Sequence, residues 1–199
     1  MSVRVRRGTV TTTLVAAAIV WAVTIGAMVR AVRRFEATPG RQAIALPSWP
    51  AASRIPRAAG EWRLVMLVHP HCSCSRASIE ELRRIIETSP ASLQTYVVVY
   101  RPSDFPAGWE QTGVITAAAK LPRTHIVLDP DGHEANVFQG FTSGQTFLYD
   151  GDGRLRFSGG ITLLRGHAGF NSGSAGVMQI VRTGSGYGEH PVFGCAIRH

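Results

Sequence analysis

Twenty-two consecutive residues without a charge, GTVTTTLVAAAIVWAVTIGAMV from Gly8 to Val29, constrain this chain more than anything else in it. As a helix they would cover about 33 Å, enough to cross a hydrocarbon core of roughly 30 Å. Nothing polar marks a solvent-facing stripe, so the run does not suit an amphipathic core helix. A signal peptide is the rival reading, since Arg4, Arg6 and Arg7 precede the run. Its apolar region would be too long, however, and no clear A-x-A site follows. We read it as an uncleaved anchor. Arg30, Arg33 and Arg34 follow it, so arginines fence both ends and the positive-inside rule does not set the orientation. A short N-terminus inside and the domain outside is the common arrangement, and cysteine chemistry in an oxidising compartment agrees with it.

The anchor also explains the charge. The chain carries +8, and residues 1 to 41 hold seven arginines against Glu36 alone, leaving only +2 on the other 158 residues. A nucleic-acid binder carries its basic face on the folded domain, so no nucleic-acid partner is expected.

Five segments follow: a short basic N-terminus (1–7), the anchor (8–29), a linker (30–60), a folded domain (61–184), and a loop-like tail (185–199) holding Cys195. The linker carries four prolines and little periodicity, as expected of a spacer lifting a domain off the membrane. Within the domain, WRLVMLVH (62–69) reads as a buried strand and SRASIEELRRIIETS (75–89) as a helix. Ile79, Leu82, Ile85 and Ile86 form its stripe, with Glu80 placed to pair with Arg84. LQTYVVVY (93–100) reads as a strand, 105–122 as a helix of uneven quality, and THIVLD (124–129) as a strand. HEANVFQG (133–140) allows a short helix. QTFLYD (145–150) and RLRFSG (154–159) flank the hairpin signal Gly151-Asp152-Gly153, and 172–184 reads as a last helix. Strands alternating with helices predict an α/β domain, a mostly parallel sheet with helices on both faces and a late antiparallel edge.

That order resembles the thioredoxin-like fold, in its TlpA and peroxiredoxin-like branch: a mixed central sheet flanked by helices, here with an N-terminal transmembrane helix. LVMLV running into HPHCSC and a helix, LDPDGHEANVFQG, and QTFLYDGDGRLRFSGG carry the resemblance over about residues 61 to 184. HPHCSCSRAS, GGITLLRGHAGFNSG and the terminal PVFGC are further similar to the membrane-anchored RedB-type proteins of bacteria. The resemblance implies thiol–disulfide exchange with protein thiols or disulfides, no bound cofactor, and a single-pass place in a bacterial inner membrane with the domain in the periplasm. Membrane-bound partners such as cytochrome-assembly or respiratory components fit that tether. Two departures stand out. Relatives usually carry Cys-x-x-Cys, which would put the second thiol at Ser75, whereas here it is Cys74. Gln145 takes the place of the usual cis-proline, and a cis bond there would cost roughly 3 kcal/mol, so a trans peptide is expected.

In the exchange reading Cys72 attacks and Cys74 resolves. Cys72 falls where a strand meets a helix start, and free N–H groups and the helix dipole favour a thiolate there. Arg76 would add a cation. The small Cys-x-Cys ring would be strained, and strained disulfides are the more oxidising ones. Cys195 is a third member, which could pair with either thiol or stay unpaired. Gln145 and His167, the latter in the loop RGHAGFN, are expected to line the site.

The alternative is a copper-binding chaperone using Cys72, Cys74, His71 and His167, since soft thiolates select Cu(I) or zinc and imidazole suits copper. A further alternative is a non-catalytic thioredoxin-like module that binds a partner. Free cysteine is often buried and inert, and His69 and His71 can serve packing or capping alone. GGITLLRG and SGSAGVM lack the lysine of a phosphate loop, and no carboxylate pair stands out.

Overall fold

The computed structural model describes residues 4–57, 59–90 and 92–198, so part of the short basic N-terminus lies outside the described residues. The chain forms two compact units, Met1–Ala37 and Thr38–His199. The first is one helix, α1 (Arg4–Ala37). Its Val10–Ala37 portion contains a stretch of mean hydropathy 2.1 with none of it buried, long and apolar enough to cross a membrane. The helix therefore runs past both ends of the uncharged stretch, because Arg30, Arg33 and Arg34 are good helix formers and no proline precedes Pro39.

The second unit holds β1 (Trp62–Val68), α2 (Ser75–Thr88), β2 (Leu93–Arg101), α3 (Gly113–Ala119), β3 (Thr124–Pro130), α4 (His133–Val137), β4 (Thr146–Tyr149), β5 (Leu155–Gly159), α5 (Ser172–Thr183) and β6 (Gly188–His190). One six-stranded sheet runs β3-β2-β1-β4-β5-β6. β1, β2 and β3 are parallel, and β4 lies antiparallel between β1 and β5. The βαβ unit, the central first strand and the closing antiparallel hairpin make the fold thioredoxin-like. The sheet is mixed.

Alternating side chains of β1 sort the core onto two faces. Leu64, Met66 and Val68 join a cluster with Leu82, Ile85 and Ile86 of α2 and Val177 and Ile180 of α5. Val65 and Leu67 join the opposite cluster with Val98, Phe138, Phe147 and Tyr149. A central strand covered on both faces is why WRLVMLV is almost continuously apolar. Arg63 is the exception: fully buried, it reaches Glu61 at 3.7 Å with its guanidinium 5.5 Å from the Trp49 ring centroid.

Three expectations are corrected. The stretch 30–60 is not a free linker. Residues 30–37 continue α1, and residues from Thr38 onward belong to the second unit. There they form a strap over the second cluster. Trp49 meets Phe138 and Tyr149 edge-on at 5.4 and 5.2 Å, Ile55 is buried, and the Trp49 and Leu155 N–H groups donate to Gly153 and Pro47 carbonyls. Glu134 fixes the far end, accepting from Ser53 Oγ at 2.7 Å and the Arg54 N–H at 2.9 Å. The prolines suit this extended course, since they hold φ and need no donor. Second, the helix expected over 105–122 is confined to Gly113–Ala119. Pro106 and Gly108, the latter at φ 87°, keep the preceding stretch in turns. Third, the tail is not all loop: β6 pairs parallel with β5.

Candidate active site

β1 ends at Val68, and His69-Pro70-His71 turns the chain into α2. The turn is fixed by backbone: the Cys72 N–H donates to the His69 carbonyl at 3.0 Å and the Ser75 N–H to the Cys72 carbonyl at 3.1 Å. Cys74 occupies the N-cap position of α2 without a side-chain cap bond. The histidines serve this turn. His69 is buried beside Tyr100 and Trp109, and its Nδ1 accepts the His71 N–H at 3.2 Å. His71 Nε2 donates to the Trp109 carbonyl at 2.9 Å.

The tail comes back to this turn. The Ser143 N–H donates to the Cys195 carbonyl and the Ile197 N–H to the Phe141 carbonyl, at 2.8 and 2.9 Å. Ser143 Oγ, 2.8 Å from Ser75 Oγ, also accepts the His69 N–H at 2.9 Å. One serine thus holds the loop before β4, the turn and the tail together. Gly194 is required here by space alone, since a Cβ would stand 1.9 Å from the Ser143 carbonyl oxygen.

The result is three converging thiols. The Cys72 and Cys195 sulfurs are 2.9 Å apart, and the sulfurs of Cys72, Cys74 and Cys195 all lie within 4.8 Å of one another. All three are free. Cys72 is 3% exposed and Cys74 7%, whereas Cys195 is half-buried.

Their proton affinities separate. Burial pushes Cys72 up, but hydrogen bonds from the Cys195 thiol and N–H, the Ser75 hydroxyl and the Cys74 backbone outweigh it and hold it below an ordinary thiol. Cys74 is raised, first by burial and then by the negative charge of Cys72. Burial, with the same charge nearby, pushes Cys195 up to about 12. Cys72 is the sulfur of the group held below an ordinary thiol, and Cys195 is the thiol that hydrogen-bonds it.

The other expected residues go elsewhere. Arg76 is exposed and lines a surface pocket with Ile79, Gly113, Val114 and Ala117. The cation acting on Cys74 and Cys195 is Arg165, which donates to the Thr38 and Gly194 carbonyls. Gln145 is fully buried, and its amide binds Ser158 Oγ at 3.2 Å. The residue before β4 that bonds the cysteine-bearing turn and tail is Ser143, two positions earlier. No cis peptide occurs among the described residues. His167 is exposed, with Nδ1 donating to the Arg165 carbonyl at 2.8 Å. Among the described residues neither His71 nor His167 joins the sulfur group. Ser143 and Arg165 lay in turn and loop sequence with no periodicity, and only the return of the tail reveals them.

No family model matches the chain, and no curated protein matches it. Solved structures do. A protein described as an uncharacterized conserved protein from Geobacillus kaustophilus shares 14% identity at a TM-score of 0.58, over 82% of this chain and 93% of its own. A hypothetical protein from Sinorhizobium meliloti shares 18% at 0.56, over 80% and 93%. A secreted disulfide oxidoreductase of Mycobacterium tuberculosis shares 13% at 0.43, over 63% and 83%, too distant to bear on activity. The first two likenesses show the fold.

Proposed function

We propose that this protein is a membrane-anchored thiol–disulfide oxidoreductase whose redox pair is Cys72 and Cys195. The observation that carries the reading is their 2.9 Å sulfur separation across 123 positions of sequence. Thiolate attack needs a sulfur in reach, and a lowered pKa makes Cys72 the better leaving group when the pair is oxidised. Cys74 is a third sulfur in reach of both, able to take over a mixed disulfide. This revises the motif pair Cys72–Cys74, giving Cys195 the principal second role. Exchange of this kind uses the sulfurs alone and no bound cofactor. The partners are protein thiols or disulfides. The apolar α1 supports an inner-membrane anchor, and a disulfide cycle is at home in the periplasm.

The test is a disulfide map of the full chain across a graded thiol redox series, read by peptide mass after trapping free thiols. The expected result is a reversible Cys72–Cys195 bond with Cys74 free. Three thiols that stay reduced until harsh oxidation would refute the reading.

The copper alternative keeps one supporting observation, the three-sulfur group itself, since soft thiolates favour Cu(I). A Cu(I) carrier of this kind would use Cys72, Cys74 and Cys195 and no histidine. Anaerobic competition of the reduced chain against a Cu(I) chelator reads it. One equivalent retained, and lost in Cys195→Ser but kept in His167→Ala, is the expected pattern for that reading.

A further inference from the structure

Beside the thiols lies a cavity of about 660 Å³ lined by the strap, the loop before β4 and the tail. Cys195 lines it; Cys72 and Cys74 do not. Among the described residues, the charged members of its wall are Arg41, Arg165 and Arg198, and no carboxylate lines it. Arg41 stacks on the Phe141 ring, its guanidinium carbon 3.6 Å from the centroid, and both residues line the cavity. Arg198 is held by Asn136, a neutral side chain. Neither Arg41 nor Arg198 forms an ion pair with a carboxylate among the described residues. Phe141, Thr142 and Ile197 complete the wall with the small residues Gly40, Gly194 and Ala196.

We propose that this cavity is the docking site for an acidic peptide segment of the partner, and that exchange with the partner enters through Cys195 rather than Cys72. The proposal rests on the exchange reading above and adds the entry point and the substrate class. Cys72 is nearly sealed, so an outside thiolate reaches the pair at the sulfur that lines the cavity. Guanidinium groups in a wall with no carboxylate among its described residues make the cavity attractive to carboxylates, and arginine binds them in paired hydrogen bonds.

The chemistry closes as follows. In the oxidised protein a partner thiolate attacks Cys195 Sγ. The Cys72–Cys195 bond breaks, its electron pair leaves on Cys72 as the thiolate, and a mixed disulfide joins Cys195 to the partner. A second partner thiolate then attacks the partner's own sulfur in that bond. The partner gains a disulfide, and Cys195 leaves and takes up the proton the second thiol gave up. The first thiol's proton goes to solvent. Two electrons have passed to the protein, and the reverse sequence reduces a partner disulfide.

The test uses the oxidised full chain in non-ionic detergent micelles and three short peptides with one cysteine each, flanked by Asp, Ser or Lys. Each rate of mixed-disulfide formation is divided by that peptide's rate with hydroxyethyl disulfide, which removes differences in intrinsic thiol reactivity. The Asp peptide is expected to react at least about tenfold faster than the Lys peptide at low salt, and the gap to narrow as salt rises. Peptide mass is expected to place the adduct on Cys195. In Arg41→Gln/Arg198→Gln the Asp-to-Lys ratio should fall towards one. Equal normalised rates, or an adduct on Cys72, would overturn the proposal. So would an equal gain with dithiodipropionate on the reduced chain, because the site would then select small anions and not a peptide. A chain that forms no Cys72–Cys195 bond before any peptide is added fails the exchange reading itself, and that is seen separately.

Discussion

Cys195→Ser is expected to lower thiol–disulfide turnover by about two orders of magnitude, while Cys74→Ser keeps most of it. The reason is geometric. Cys195 is the sulfur 2.9 Å from Cys72, and it is brought there by backbone hydrogen bonds that a serine leaves in place. A fold defect is therefore not expected to mimic the loss. Cys74 sits at the head of the helix with a raised pKa, a third sulfur within 4.8 Å of the pair that the first step does not use. Turnover of the full chain with a dithiol peptide, measured for both variants side by side, decides it. The opposite ranking would restore Cys72–Cys74 as the working pair.

Phe147→Ala is expected to cost about 3–5 kcal/mol of stability, the usual range for emptying a ring from a closed core. Phe147 is fully buried on β4 and packs on Phe138 at 5.6 Å, within the cluster that the strap completes. At 2–4 °C per kcal/mol the melting temperature should fall by roughly 6–20 °C. Urea unfolding followed by tryptophan fluorescence reports the loss, with Trp49 on the same cluster as a local probe. A change under about 1 kcal/mol would mean that strap and sheet face are not packed as described.

The sequence carried most of the fold because its periodicities were clean. WRLVMLV and TYVVV could only be covered strands, and the Ile79-Leu82-Ile85-Ile86 stripe is the buried face of α2 with Glu80 2.9 Å from Arg84. The strap was not legible. Its apolar residues Ala43, Ala45, Trp49 and Ile55 follow neither a helical nor a strand period, because an extended segment lying across a sheet face answers to the sheet's geometry and not its own. The site was half legible. Cys72 and Cys74 announced themselves by proximity in sequence, but pairing across 123 positions has no local signal. Ser143 and Arg165 were hidden for the same reason. Arg76 was named for its neighbourhood in sequence and Gln145 because the resemblance put it in the cis-proline's place, and each points to a different part of the fold.

The length of that separation has a mechanical meaning. Oxidation of Cys72 with Cys195 turns the chain between them into a covalent ring holding α2, β2, α3, β3, α4, β4, β5, α5 and β6. β1, the strap, the anchor and the residues after Cys195 hang outside it. Closing a loop of this size removes unfolded-chain entropy worth about 4–5 kcal/mol. Reduction reopens the ring and leaves the tail held by hydrogen bonds, among them its backbone bonds to Ser143 and Phe141. A single backbone nick between β2 and β6 would then release a fragment from the reduced protein, while the oxidised one would hold its pieces together.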